Sequence, residues 1–198
     1  MKRDLNKKTI VVATRNPGKL AEFEQMMRGL PYRVISLINF QQIKIEESGR
    51  SFDENAVIKA SITARETGFM ALGDDSGLEV KALNGEPGIY TARYAGPEAS
   101  DQQNIDKLLE KMKDVPAGER QARFVCSLSL AFPDGRVIVE RGYLEGEIAF
   151  ERRGFHGFGY DPVFYLPQYG MCLAELSEEE KNKISHRSAA FEKIKKYL

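Results

Sequence analysis

The chain is predicted to fold as an α/β protein, and three features of its sequence carry that prediction. The apolar run Thr9 to Ala13 breaks at Thr14-Arg15-Asn16-Pro17-Gly18, gives way to a helical pattern, and is followed by a second short strand, which is a βαβ opening. A later helix, capped at its start and stopped by glycine, leads directly into another short strand. Two long apolar runs then flank Pro133-Asp134-Gly135, the pattern of a hairpin.

In order along the chain, Leu20, Phe23, Met26 and Met27 recur at helical spacing from about Lys19, and Tyr32 to Ser36 is the second strand. Ser51 and Glu54 form a capping-box pattern that opens a helix carrying Phe52, Ala56, Ile58, Ala60, Ile62 and Ala64, ended by Gly68. Met70 to Gly73 is a short strand, which leaves Asp74-Asp75-Ser76-Gly77 as an acidic turn at its carboxyl end, where ligands of open α/β sheets gather. After the Gly/Pro-rich stretch Asn84 to Gly96, Ser100 and Gln103 cap a helix running to about Lys113. Gln121 to Phe132 and Arg136 to Tyr143 are the hairpin strands, and Leu144 to Phe150 continues as a meander. Arg153 to Asp161 is a glycine-spaced loop and Val163 to Leu166 a strand, and Ser177 with Glu180 caps a last helix that is re-capped at Ser185. No repeat, low-complexity tract or linker divides the chain, so residues 1–198 are expected to be a single folded domain with a short polar N-terminal extension, 1–8.

Composition limits the partners. With 29 basic and 29 acidic residues there is no net field to hold the chain on nucleic acid or an anionic membrane, so a polyanionic ligand must be gripped locally. The first apolar run is far too short for a signal peptide or a membrane span, which gives a cytoplasmic expectation. Two cysteines, Cys126 and Cys172, are too few for a disulfide framework or a cysteine metal site and are expected as buried thiols.

Five segments could carry chemistry. Thr14, Arg15, Asn16, Pro17, Gly18 and Lys19 lie between a strand and a helix N-terminus, where free N–H groups and the helix dipole favour phosphate. Leu20 stands where a Walker A loop needs Ser or Thr, so this is not that motif. Asp74 and Asp75 repel one another unless a cation intervenes, the condition for a hard, oxygen-ligated metal such as Mg²⁺; a solvated turn accounts for the same residues. Glu46-Glu47-Ser48-Gly49 is a second acidic turn that could add a carboxylate to the same ion. In Phe155 to Pro162, glycines let a flat ligand approach, Phe158 or Tyr160 offers a stacking face, and Asp161 could accept a base N–H. Lys181, Ser185, His186 and Arg187 supply donors around a helix start, suited to a phosphate or to a keto oxygen.

Taken in order, Ala13 to Lys19, Phe52-Asp-Glu-Asn-Ala56 with Lys59, Gly73 to Leu78, Pro87 to Arg93, Gly157 to Pro162 and Ser185-His-Arg187 resemble the inosine triphosphate pyrophosphatase family, from about Ile10 to the C-terminus. The resemblance implies Mg²⁺-dependent hydrolysis of dITP, ITP and XTP to the monophosphate and pyrophosphate. It also implies an elongated mixed sheet with flanking helices and two lobes around a central substrate cleft, and a homodimer. On this sequence it assigns Thr14 to Lys19 to the phosphates, Asp75 to proton acceptance and metal binding, Glu46 to the metal, and Ser76 to the substrate. Phe158, Gly159, Tyr160, Asp161, Lys181, His186 and Arg187 go to the nucleobase, with Phe158 stacking on the purine. Gly73 departs from the family's usual alanine, and a smaller residue there is expected to leave the carboxylates in place.

Two rivals remain. A Maf-like nucleotide pyrophosphatase has a similar outline but opens with a Ser-Pro-Arg-Arg type loop, unlike Thr14 to Lys19. A non-catalytic nucleotide- or nucleic-acid-binding module is disfavoured by neutral charge, the intact acidic pair and the lack of a basic stripe.

Overall fold

The computed structural model describes residues 8–198. The described residues form seven strands and five α-helices, in order β1 Lys8–Val12, α1 Pro17–Met26, β2 Tyr32–Ser36, α2 Phe52–Thr67, β3 Met70–Val80, α3 Asp101–Lys111, β4 Gln121–Ala131, β5 Val137–Ile148, β6 Phe164–Leu166, β7 Met171–Cys172, α4 Glu178–Ile184 and α5 His186–Ile194. The strands form one mixed sheet in the order β2-β1-β3-β4-β5-β6-β7. β1 runs parallel to both β2 and β3, as the βαβ opening predicts, and β6 runs antiparallel to β5 and β7.

Contacts divide the chain into two compact units, neither of them a single stretch of sequence. The first comprises the chain through Asp75, Ser127–Arg141 and Ala190–Leu198; the second comprises Ser76–Cys126 and Gly142–Ala189. In the first unit, Ala60 and Ala64 of α2 pack on Val11, Ala71 and Ala131, small residues that let the helix lie close to the strands. The core of the second unit includes Leu78, Leu108, Met112, Phe124, Ile148, Phe164 and Leu173.

The local start and stop signals act as their chemistry requires. Asn16 caps α1, its side chain accepting from the Lys19 amide, and Pro17 fills the first helical position, where no N–H is needed. Ser51 caps α2 and Gly68 ends it in the left-handed region at φ 70°. The Ser51–Glu54 box is only half made, because the Glu54 carboxylate accepts from Arg50 N–H rather than from Ser51. Reciprocal boxes form at Ser100–Gln103 and Ser177–Glu180. Both cysteines are buried and outside any disulfide, and burial pushes the Cys172 thiol up to about 11.

Four expectations are corrected. Asp74-Asp75-Ser76-Gly77 is not a turn, because β3 continues for 11 residues from Met70 to Val80 and carries these residues within it. The parallel pairing with β1 ends at Leu72, and the apolar Leu78 and Val80 beyond keep the strand extended into the second unit's core. The hairpin return and the meander are one strand, β5, since Gly142 to Leu144 does not interrupt the extended backbone. The two-residue β7 was not expected; it is too short to carry a periodic pattern. The Gly/Pro-rich stretch contains a 3₁₀ helix, Gly88–Arg93.

Candidate active site

The first unit gathers the acidic and phosphate-type residues. Successive side chains of a strand leave by opposite faces, and the adjacent carboxylates of β3 accordingly meet different helices. Asp74, 2% exposed, receives the Lys19 ammonium from α1. Asp75, 8% exposed, receives Lys59 Nζ at 2.7 Å and Asn55 Nδ2 at 3.2 Å, both from α2. Asn55 and Lys59 are one helical turn apart, on the face that also buries Ala56 and Ala60. Burial pushes the Asp75 carboxyl up against the opposing pull of Lys59. For Lys59 burial acts downward, but the Asp75 and Glu47 charges outweigh it and hold the ammonium above its ordinary value.

This setting explains Gly73. A Cβ there would lie 2.3 Å from the Ala56 carbonyl oxygen and 2.6 Å from the Ala60 nitrogen, so glycine lets the backbone of α2 close onto β3 one residue before the acidic pair.

The other first-unit residues fall into place unevenly. Thr14 accepts from the Asn16 amide at 3.1 Å, and with Asn16 capping α1 these two side chains shape the loop before α1. Arg15 is turned onto the Ile43 carbonyl at 2.7 Å. Of the acidic turn, Glu47 lies 3.4 Å from Lys59 Nζ, while the neighbouring Glu46, the residue expected at the metal, is exposed. Lys59 and Asn55 were assigned no role from the sequence; their spacing of four beside the alanine face was the available signal.

The second unit gathers the base-type residues. Asp161 accepts from the Phe158 amide at 2.9 Å and from Lys181 Nζ at 2.5 Å, a pair of which both members are nearly fully buried. Gly157 is required beside it, since its φ is +78° and a Cβ would fall 2.1 Å from Asp161 Oδ2. Asp161 is thus the clasp of the glycine loop. Tyr160, 2% exposed, donates to the Thr91 carbonyl at 3.0 Å, and burial pushes its phenol well up. Of Phe158 and Tyr160, Phe158 is therefore the one that retains exposure; Lys181 lies 4.4 Å from its ring centroid and Arg187 5.9 Å. Gly159 N–H is taken by Asp101 at 2.7 Å. Ser185 accepts from the Ser188 amide at the start of α5, and behind it His186 stacks on Phe124 at 4.8 Å with a 14° tilt. Arg187 is 1% exposed and reaches Ser76 Oγ at 3.4 Å. Burying a guanidinium and a lysine beside the Phe158 ring, with an imidazole buried on Phe124, costs stability, and it is the kind of cost a ligand site retains.

The Ham1 family pattern matches residues 10–197. The chain belongs to the Ham1 family. It is 50% identical over 190 residues to the dITP/XTP pyrophosphatase of Exiguobacterium sibiricum, an alignment that covers 96% of each chain. Identity to the dITP/XTP pyrophosphatase of Bacillus subtilis (strain 168) is 45% over 193 residues, covering 96% of this chain and 97% of that one. The structure of a HAM1 protein from Coxiella burnetii superposes with a TM-score of 0.87 at 44% identity, covering 96% and 98% of the two chains. Ham1 membership gives no support to a Maf-like or non-catalytic reading. Among the described residues no helix is long and apolar enough to cross a membrane.

Proposed function

We propose that this chain hydrolyses non-standard purine nucleoside triphosphates, dITP, ITP and XTP, to the nucleoside monophosphate and pyrophosphate. The observation that carries the reading is Asp75, a buried carboxylate with raised proton affinity, held by Lys59 and Asn55 while its neighbour Asp74 takes the lysine of the phosphate-type loop. The relatives' names supply the substrate class.

In this reading Asp75 accepts a proton from water as the water oxygen bonds to the α-phosphorus and the bond to the bridging oxygen of the β-phosphate breaks. Pyrophosphate leaves with the electron pair. Lys19 and Lys59, which meet the carboxylates in the ligand-free chain, offset charge on the leaving group and on the reacting phosphate. The donor set suits Mg²⁺, because it is made of carboxylate oxygens, and Mg²⁺ is commonly shared between one or two carboxylates and substrate phosphates. Asp75 would hold it with a carboxylate of the Glu46–Glu47 pair, and Glu47 is the member brought to Lys59. When bound, the ion would draw charge from the reacting phosphate.

Selectivity rests on the base-type set of the second unit. Phe158 stacks on the purine, and Arg187 or His186 donates to the 6-keto oxygen. Adenine would turn a donor toward those donors and leave them unpaired, a mismatch worth roughly 10⁴ in discrimination. The test is pyrophosphate release from dITP with Mg²⁺ by the wild type and by Asp75→Asn. The variant is expected to lose about 10²-fold or more in kcat; near-wild-type turnover would remove Asp75 from the chemistry.

A further inference from the structure

We propose that Arg15 and Asn55 form a two-point clamp that positions the acidic segment Glu46-Glu47-Ser48 beside Asp75, so that Arg15 acts on the loop and not on phosphate. What the segment does there rests on the pyrophosphatase reading above; the clamp itself stands on geometry within the first unit.

Residues 43–49 form neither helix nor strand, and Glu46, Glu47 and Ser48 are exposed, so no hydrogen-bond ladder fixes them. Ile45 packs on the core beside Ile43 and Ser48 N–H donates to the Glu46 carbonyl at 3.1 Å, but the bonds that tie the segment to other elements by side chain lie at its two ends. At one end Arg15 Nη2 donates to the Ile43 carbonyl at 2.7 Å and to the Phe40 carbonyl at 3.4 Å. Ile43 itself is buried with Ala13 and Leu37, so the guanidinium fastens the loop where it leaves the core. A charged donor makes such a bond stronger than a neutral one would. At the other end Asn55, 2% exposed, uses both halves of its amide: Oδ1 accepts from Gly49 N–H at 2.9 Å and Nδ2 donates to Asp75 Oδ2 at 3.2 Å. One side chain therefore sets the distance between the acidic segment and the carboxylate. Gly49 is part of the device, because a Cβ there would lie 2.6 Å from Asn55 Oδ1 and 2.8 Å from Glu54 Cβ. Between the anchors, Glu47 is presented to Lys59. The guanidinium of the phosphate-type loop thus ties that loop to the acidic one.

Hydrogen exchange measured by mass spectrometry on the ligand-free protein, comparing wild type with Arg15→Ala, Asn55→Ala and Gly49→Ala, tests the clamp without substrate. Peptides covering 41–50 are expected to exchange about 10-fold faster in each variant, while β1, α1 and β3 keep their protection. In steady-state kinetics on dITP, Arg15→Ala and Gly49→Ala are expected to lower kcat about 10- to 100-fold through misplacement. KM and the inhibition constant for inorganic pyrophosphate should move less than about threefold. Unchanged exchange over 41–50, or protection lost throughout the chain, overturns the proposal. So does a large rise in KM and in the pyrophosphate constant with the loop still protected, which would make Arg15 a phosphate ligand. If Arg15→Ala fails to fold, Arg15→Lys, which keeps the charge but reaches one carbonyl at a time, serves in its place. A wild type that leaves dITP intact would refute the pyrophosphatase reading alone; the exchange data would still decide the clamp.

Discussion

Asp74 and Asp75 are neighbours in sequence, yet each is neutralised by a lysine from a different helix. The sequence made the pair visible as an acidic motif, and the resemblance singled out Asp75. What the motif concealed was Lys59: a lysine in the middle of a helix is ordinarily a solvated one, and only the packing of the alanine face of α2 onto β3 draws it inward. The second carboxylate is a matter of one position. Glu46 and Glu47 have the same chemistry and adjoin in a segment without regular structure, so spacing alone does not separate them; Glu47 is the one that meets Lys59, and on the proposed function it is the metal-side carboxylate. Glu47→Gln should therefore lower kcat on dITP at limiting Mg²⁺ by about 10-fold or more, and Glu46→Gln by much less. Steady-state titration of Mg²⁺ at fixed dITP checks this, and the reverse ranking would move the ligand to Glu46.

At the scale of elements, α2 is the part on which the first unit's chemistry depends, and two contacts fix it. Gly73 allows its close approach, so Gly73→Ala, despite matching the family's usual residue, forces backbone apart and should cost about 1–3 kcal/mol. Chemical denaturation gives the value, and a variant as stable as wild type would contradict the close approach. Asp53, in the first turn of α2, accepts from Arg141 at 2.8 and 2.5 Å and from Ser127 at 2.8 Å. The Arg141 hydrogen bonds hold its carboxyl below the ordinary 3.8, against the upward effect of burial. Because the folded value is the lower one, this stabilisation is complete above the unfolded carboxylate range and disappears as pH falls through the folded value. The stability difference between wild type and Asp53→Asn should accordingly be flat from neutral pH to about pH 5 and shrink below pH 4. A difference that grew on acidification would contradict the ion pair.

For the whole molecule, the α/β class, the parallel opening and most helix boundaries were legible because they rest on local signals: strand runs, Ser or Asn caps, glycine stops. The extent of β3 was not, because Asp-Asp-Ser-Gly is turn-like in composition and becomes a strand only through partners distant in sequence. Nor was the division into two units, each assembled from separated segments; no linker marks it, and β3, β4, β5 and α5 each have residues in both units. That division nevertheless sorts the site residues, with the carboxylates and the phosphate-type loop in the first unit and the base-type set in the second. The proposed function assigns the chain a substrate class, deaminated purine triphosphates, and a product pair, the monophosphate and pyrophosphate. The most direct test is a substrate panel of dITP, ITP, XTP, GTP and ATP with Mg²⁺ in which both products are identified. The account predicts monophosphate and pyrophosphate from dITP, ITP and XTP, with ATP slower by roughly 10⁴. Equal turnover of ATP, or release of orthophosphate and a diphosphate, would contradict it.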